Sequence, residues 1–270
     1  DRRLEAGLRS WLGQAAQARG DFAAAERELV RAVALLESTR GARQLEVAEP
    51  LNLLGGLVER RGRAAEARAY YERALAASER AVGPDHPATA VTRANLCHLD
   101  FVAGALASAR ACQEKVAVTL EAALGADHPT VAWALNDVAL IQQAEGDRAG
   151  ARARYARALA IWEKASGPTH SDLVWPLVNL GQIAADDGDD ARAAKLCARA
   201  RDIVVAISGE DHPDLAFPLA CLGQAQLARD PAAAVVLLRR ALALFAIAVA
   251  DPADAAATRF LLARALDRSG

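Results

Sequence analysis

A glycine returns every 42 residues along this chain, at Gly83, Gly125, Gly167 and Gly209. Each opens a version of one phrase: "GPDHPATA" at 83–90, "GADHPTVA" at 125–132, "GPTHSDLV" at 167–174 and "GEDHPDLA" at 209–216. The same step reaches back to Gly41 and forward to "DPADA" at 251–255. Three further series keep the period. The first is Gly20, Gly62, Gly104, Gly146 and Gly188, with Asp230 in the sixth place. The second is Gly13, Gly55, Cys97, Ala139, Gly181 and Gly223, all small. The third is Ala25, Ala67, Ala109, Ala151 and Ala193, then Val235. A fixed period of this length restricts the fold to a solenoid, because one unit cannot bury its apolar face alone and must stack on its neighbours.

Two helical patterns alternate within each period. Leu135, Val138 and Ala139 recur at helical spacing, as do Leu177, Leu180 and Gly181. The small residue lets a second helix approach closely. The glycine near 20, 62 and 104 ends the first helix, since only glycine adopts the left-handed conformation there without strain. Asp21, Asp147 and Asp189 then cap the second helix, and Pro231 suits the first turn of the sixth. In the recurring phrase the glycine closes one repeat, the aspartate caps the next helix and the proline occupies its first turn. The histidine packs or bonds locally between adjacent repeats. Pro50, Pro176 and Pro218 fall inside first helices and are expected to kink them.

A rival reading makes a metal site of His86, His128, His170 and His212. Equivalent residues in consecutive repeats lie at least about 8–10 Å apart, too far to share one ion. "DDGDD" at 186–190 lacks the alternating ligands and closing glutamate of a calcium loop. No metal and no cofactor are expected. Ser171 follows His170 without an orienting third group, and no glycine-rich phosphate loop is present, so no enzyme is expected either. The cysteines at 97, 112, 197 and 221 form no C-x-x-C pair, and their spacings match no zinc pattern. They read as buried thiols of a cytoplasmic protein. A formal net charge of −2 offers no basic excess to attract nucleic acid. The longest apolar run, "ALALFAIAVA" at 241–250, is too short to cross a bilayer. Methionine is absent, so Asp1 reads as an internal residue of something longer.

The small-residue and alanine positions in "NLGQIAADDGDDARAAKLCARA" (179–200) resemble tetratricopeptide repeats. The period of 42 and the phrase "G-x-D-H-P…A…N-L" resemble the kinesin-light-chain type of that family, over essentially all of 1–270. The resemblance implies an all-α fold: an α-α superhelix of six helix pairs plus a C-terminal helix, about thirteen helices in one right-handed tetratricopeptide solenoid without internal domain boundaries. The repeats are expected near 1–40, 43–82, 85–124, 127–166, 169–208 and 211–250, with a terminal helix at 254–268.

If Leu135, Val138 and Ala139 face the interior, the opposite stripe of the same helix carries Trp133, Asn136, Leu140 and Gln143, edged by Asp137. The next repeats place Trp175, Val178, Gln182 and Ala185 there, edged by Asn179, then Phe217, Ala220, Gln224 and Leu227, edged by Cys221. One repeat back, the stripe holds Val91, His98 and Phe101, edged by Asn95. In tetratricopeptide proteins this stripe lines the concave groove, and the resemblance implies that the groove binds peptides. The candidate binding residues are therefore Trp133, Trp175, Phe217, Asn95, His98, Asn136, Asp137, Asn179, Gln182 and Gln224. The aromatics equally suit filling the gap between successive repeats, and the asparagines equally suit satisfying a neighbouring helix. The charged stripe positions are acidic, at Glu49, Glu59 and Asp137. That argues against a clamp for a C-terminal carboxylate and for an extended ligand with apolar side chains and a basic residue near Asp137. The expected function is a non-enzymatic scaffold for a protein or peptide partner, with neither nucleic acid nor membrane as ligand. The alternative is a regulatory or sensing arm of a larger bacterial signalling protein, such as a kinase, a transcription regulator or a defence protease system. The apolar pair around Leu237, Leu238 and Phe245 offers a second surface for end-on docking.

Overall fold

The structure, a computed structural model, describes residues 2–39, 44–247 and 252–269. Gly41 and Asp251, the outer members of the first glycine series, lie outside these residues. Among the described residues there are thirteen α-helices and no strand. They are α1 (Arg2–Ala18), α2 (Phe22–Glu37), α3 (Gln44–Glu59), α4 (Ala64–Val82), α5 (Pro87–Val102), α6 (Leu106–Leu124), α7 (Pro129–Glu145), α8 (Arg148–Ser166), α9 (Val174–Asp186), α10 (Asp190–Ser208), α11 (Ala216–Gln226), α12 (Pro231–Ile247) and α13 (Pro252–Ser269). The expected class, an all-α stack of helix pairs, is the class found. Two compact units divide the chain, Asp1–Ala126 and Asp127–Gly270. The first holds the pairs α1/α2, α3/α4 and α5/α6. The second holds α7/α8, α9/α10 and α11/α12, closed by α13 on α12. Within each unit an odd-numbered helix packs first on its own even partner and then on the preceding even helix.

The turns inside a pair follow the expected logic. Gly146 takes a left-handed conformation at φ 86°, which stops α7. Asp147 then accepts a hydrogen bond from the Gly150 N–H at 3.0 Å and starts α8. Asp21, Asp189 and Asp230 cap α2, α10 and α12 in the same way. The turns between pairs correct the reading of the histidine phrase. The cap is the histidine, not the aspartate before it. Nδ1 of His86 accepts the N–H of Ala88 at 3.1 Å, and His128 does the same for Thr130 at 3.1 Å. His170 and His212 accept from Asp172 and Asp214, each at 3.3 Å. After His86, His128 and His212 a proline follows directly at the first turn, where its missing N–H leaves nothing unpaired; Ser171 takes that place after His170.

Pro176 and Pro218 do not kink their helices. A proline cannot donate to the carbonyl four residues earlier, so that stretch winds as 3-10 turns at Ser171–Leu173 and Pro213–Leu215. The α-helices start just after, at Val174 and Ala216, and the prolines sit in their first turns. Pro50 does stay inside α3.

The small-residue series marks where odd and even helices touch. A Cβ at Gly181 would stand 2.8 Å from the Cys221 sulfur and closer still to the Cys197 sulfur. Those two sulfurs are bonded, as are Cys97 and Cys112, which overturns the reading as free thiols. The Cα–Cα separations of 5.5 and 5.9 Å suit disulfides. The linear spacing concealed the pairs because the period brings each cysteine onto a facing helix. Cys97 joins α5 to α6 within one pair, whereas Cys197 joins α10 to α11 across two pairs. No helix of the described residues is long and apolar enough to cross a membrane.

Candidate functional site

The stripe opposite the packed face of the odd-numbered helices lines an open cavity of 690 Å³ in the first unit. Glu49, Asn52 and Gly56 of α3 form one wall, and Val91, Thr92 and Asn95 of α5 form the other. Gln17 of α1 closes one end, and Tyr71 and Ser78 of α4 lie beneath. Arg60, just past the end of α3, also lines it.

Polar side chains tie the two walls together. Asn52 Nδ2 donates to Thr92 Oγ1 at 3.0 Å, and Asn95 Nδ2 donates to Asn52 Oδ1 at 3.4 Å. Thr92 passes its own hydroxyl hydrogen to the Ala88 carbonyl. Tyr71 donates to Glu59 Oε2 at 2.7 Å, and burial together with that carboxylate holds its hydroxyl far above the usual tyrosine range. His98 is exposed, with Nε2 3.4 Å from the other Glu59 oxygen. Asn95 and Glu59 thus sit within the hydrogen-bonding framework of this face, with His98 beside it.

In the second unit the same stripe is filled rather than open. Trp133 is 43% exposed, and its ring packs edge-on against the fully buried Trp162 of α8, with centroids 5.1 Å apart. Trp175 stacks edge-on with Phe217 at 4.9 Å, and Phe217 with Phe245 at 5.0 Å. All three candidate aromatics therefore carry packing contacts. Asn136 is buried, at 8% exposure, with an Oδ1 that has no hydrogen-bond partner. The next pairs put Val178 and Ala220 at its position, both buried, so this column turns inward in the second unit. Asp137 beside it is half-buried; burial pushes its carboxyl up to about 7, and a hydrogen bond from Asn136 pulls it partly back. Tyr155 donates to Gln143 Oε1 at 3.2 Å, and burial, with the nearby Asp137 charge, raises its hydroxyl. Asn179 and Gln182 are half-buried on α9, and Gln224 Nε2 donates to Asp186 Oδ1 at 2.8 Å.

The expected end-on surface is covered. Leu238 packs in a cluster with Leu261 and Ala265 of α13, and Phe245 is buried against Phe217. Among the described residues no three His, Cys, Asp or Glu side chains come together in a way that could hold a metal ion. Sequence reasoning missed Asn52, Thr92 and Ser78. Ser78 carried a usable signal: stepping by 42 it replaces Leu36 and Leu120.

The family model described as tetratricopeptide repeat matches residues 4–80, 46–99, 95–164, 130–203 and 172–247. No curated protein matches the chain. Several solved structures do. BtubC (BKLC) from P. vanneervenii is 20% identical over 93% of this chain and 93% of its own, with a TM-score of 0.63. A kinesin light chain from Podosopora anserina with nearly identical repeats is 20% identical over 73% of this chain and 94% of its own, at 0.58. A Rap protein complexed with Competence and Sporulation Factor is 16% identical over 98% of this chain and 75% of its own, at 0.68.

Proposed function

Since the chain belongs to the tetratricopeptide repeat family, we propose that it is a non-catalytic protein-interaction scaffold that holds an extended peptide or a partner's helix along the stripe of its odd-numbered helices. The observation that carries this reading is the 690 Å³ cavity between α3 and α5. Its volume falls in the usual range for ligand pockets, roughly 300–1,000 Å³. Its walls offer amide groups at Asn52 and Asn95, which can both donate to and accept from a peptide backbone. In the second unit, Trp133 keeps enough exposed ring to anchor a ligand on that unit's own stripe, and aromatic anchors dominate many interfaces. The Rap protein is complexed with Competence and Sporulation Factor; that is a property of the Rap protein, and it supports the present reading only as a precedent on a similar fold. A formal net charge of −2 favours a protein partner over nucleic acid.

The test is a pull-down with the chain, followed by titration calorimetry of the recovered partner. Trp133→Ala weakens binding by about 2 kcal/mol or more. Arg61→Ala, which removes only an ion pair to Glu26 on the outer turns, leaves affinity unchanged. A folded Trp133→Ala variant that binds like wild type makes that ring a packing residue and removes it from the site. Trp133 is the cleaner probe, because it is exposed whereas Trp175 and Phe217 are half-buried.

A further inference from the structure

One column of the even-numbered helices sets how much room lies under the stripe. Stepping by 42 it reads Leu36, Ser78, Leu120, Trp162, Val204 and Ala246. Leu36, Leu120, Trp162 and Val204 are buried and apolar. Ser78 is 1% exposed, lines the cavity, and has a hydroxyl without a hydrogen-bond partner. A buried hydroxyl left unpaired is unfavourable until something bonds it.

The column opposite, on the odd-numbered helices, reads Gly7, Glu49, Val91, Trp133, Trp175 and Phe217. In the fourth pair the two columns meet as Trp133 against Trp162. The second pair has Glu49 and Ser78 at those positions, and both line the cavity. Two indole rings are thus replaced by a hydroxyl beneath and an exposed carboxylate at the rim, with Ala48, Ala88 and Val91 as apolar walls. Among the described residues the one lining cation, Arg60, stands just past the end of α3, roughly 16 Å from Glu49 at 1.5 Å per residue.

We propose that this end of the cavity is a pocket for a lysine side chain of the bound peptide, a specificity element within the groove reading above, on which it rests. The four-carbon stem packs on Ala48, Ala88 and Val91. The ammonium carries three donors on one compact point, enough for the Ser78 oxygen, the Glu49 carboxylate and one further acceptor. An arginine fits less well, because its planar fork pairs with the two oxygens of the Glu49 carboxylate at the rim and leaves the deeper Ser78 hydroxyl unbonded.

The experiment pans a phage-displayed random dodecapeptide library on the full chain and on its Ser78→Leu variant in parallel. The substitution installs the residue that the first and third pairs already carry, and circular dichroism confirms the fold. The wild-type pool converges on sequences with lysine at one fixed position, and the Ser78→Leu pool loses that lysine while keeping the rest of the consensus. A synthetic wild-type-selected peptide with lysine replaced by norleucine binds wild type at least tenfold more weakly. Glu49→Gln gives a smaller loss that shrinks further in high salt. If Ser78→Leu fails to fold, Ser78→Ala removes the hydroxyl and takes its place. A shared consensus without lysine, or a norleucine analogue that binds within twofold of its parent, overturns the pocket and leaves the groove standing. A library that yields no peptide above background overturns both.

Discussion

The second helix pair, in the first unit, and the fourth, in the second unit, share one backbone plan and differ in what fills it. Gly55 in the second pair lies directly on the Tyr71 ring, and Ala139 in the fourth packs in one cluster with the equivalent Tyr155. The helix contact is therefore conserved between them. Beneath the stripe the two diverge: Glu49 and Ser78 leave a cavity, and Trp133 and Trp162 fill the same place. Two positions in a 42-residue period are enough to separate a hollow face from a solid one. The repeat fixes where helices touch; the side chains at its outer columns decide where something else can.

The largest effect expected from exchanging these roles comes from Trp162→Ser, which gives the fourth pair the residue of the second. It deletes a fully buried indole and costs about 3–5 kcal/mol, the usual range for truncating a buried aromatic. Urea unfolding measures it, and a loss below about 1 kcal/mol would mean that the indole is not what holds the pair solid.

Asp137→Asn comes next, since it gives the fourth pair the residue that the third carries at the same place, Asn95. Burial raises the folded carboxyl to about 7, above its ordinary value of 3.8. The folded state therefore keeps a proton that the unfolded chain releases between those values. Stability contributed by this group is full below about pH 4 and falls as pH rises through 7. The amide variant loses that slope and is more stable than wild type at pH 8, by about 2–4 kcal/mol. Thermal melts of both proteins at pH 4.5 and pH 8 supply the check; parallel pH profiles would defeat it.

Gly181→Leu follows. It drives a side chain into the disulfide between Cys197 and Cys221, and overpacking of this kind costs about 1–3 kcal/mol. An unchanged melting temperature would place Gly181 outside the contact. The smallest effect belongs to the caps: His86→Ala in the first unit and His128→Ala in the second each cost about 0.5–2 kcal/mol. Equal losses support one cap used twice, and a loss in only one unit separates them.

Much of the fold was legible before any coordinates, because periodicity is a property of spacing. The glycines at 146 and 209, the caps at Asp21, Asp147 and Asp189, and the inward set Leu135, Val138 and Ala139 all follow from it. The errors lie where two side chains compete for one task. Aspartate is the commoner cap, yet in "DHP" the histidine beside the proline has the nearer acceptor atom. The cysteines pair through space, which linear spacing does not express, and with both pairs bonded the ground for expecting a reducing compartment is gone. For the candidate site, the stripe at 133, 136 and 140 named a face but not its contents. Asn136 turns inward, and Ser78 belongs to a helix that the stripe argument never visited.

The bond between Cys197 and Cys221 also bears on how the second unit breathes. A repeat array is coupled only between neighbours, so its cheapest fluctuation is fraying from an end, one hairpin at a time. α10 and α11 belong to successive hairpins, and the bond crosses that seam. The α11/α12 hairpin is therefore tethered to α10 even when its contacts loosen, and it closes again as an intramolecular event. In hydrogen exchange, amides of α11 would open together with those of α10 as one larger cooperative block, and addition of a reductant would split that block into two.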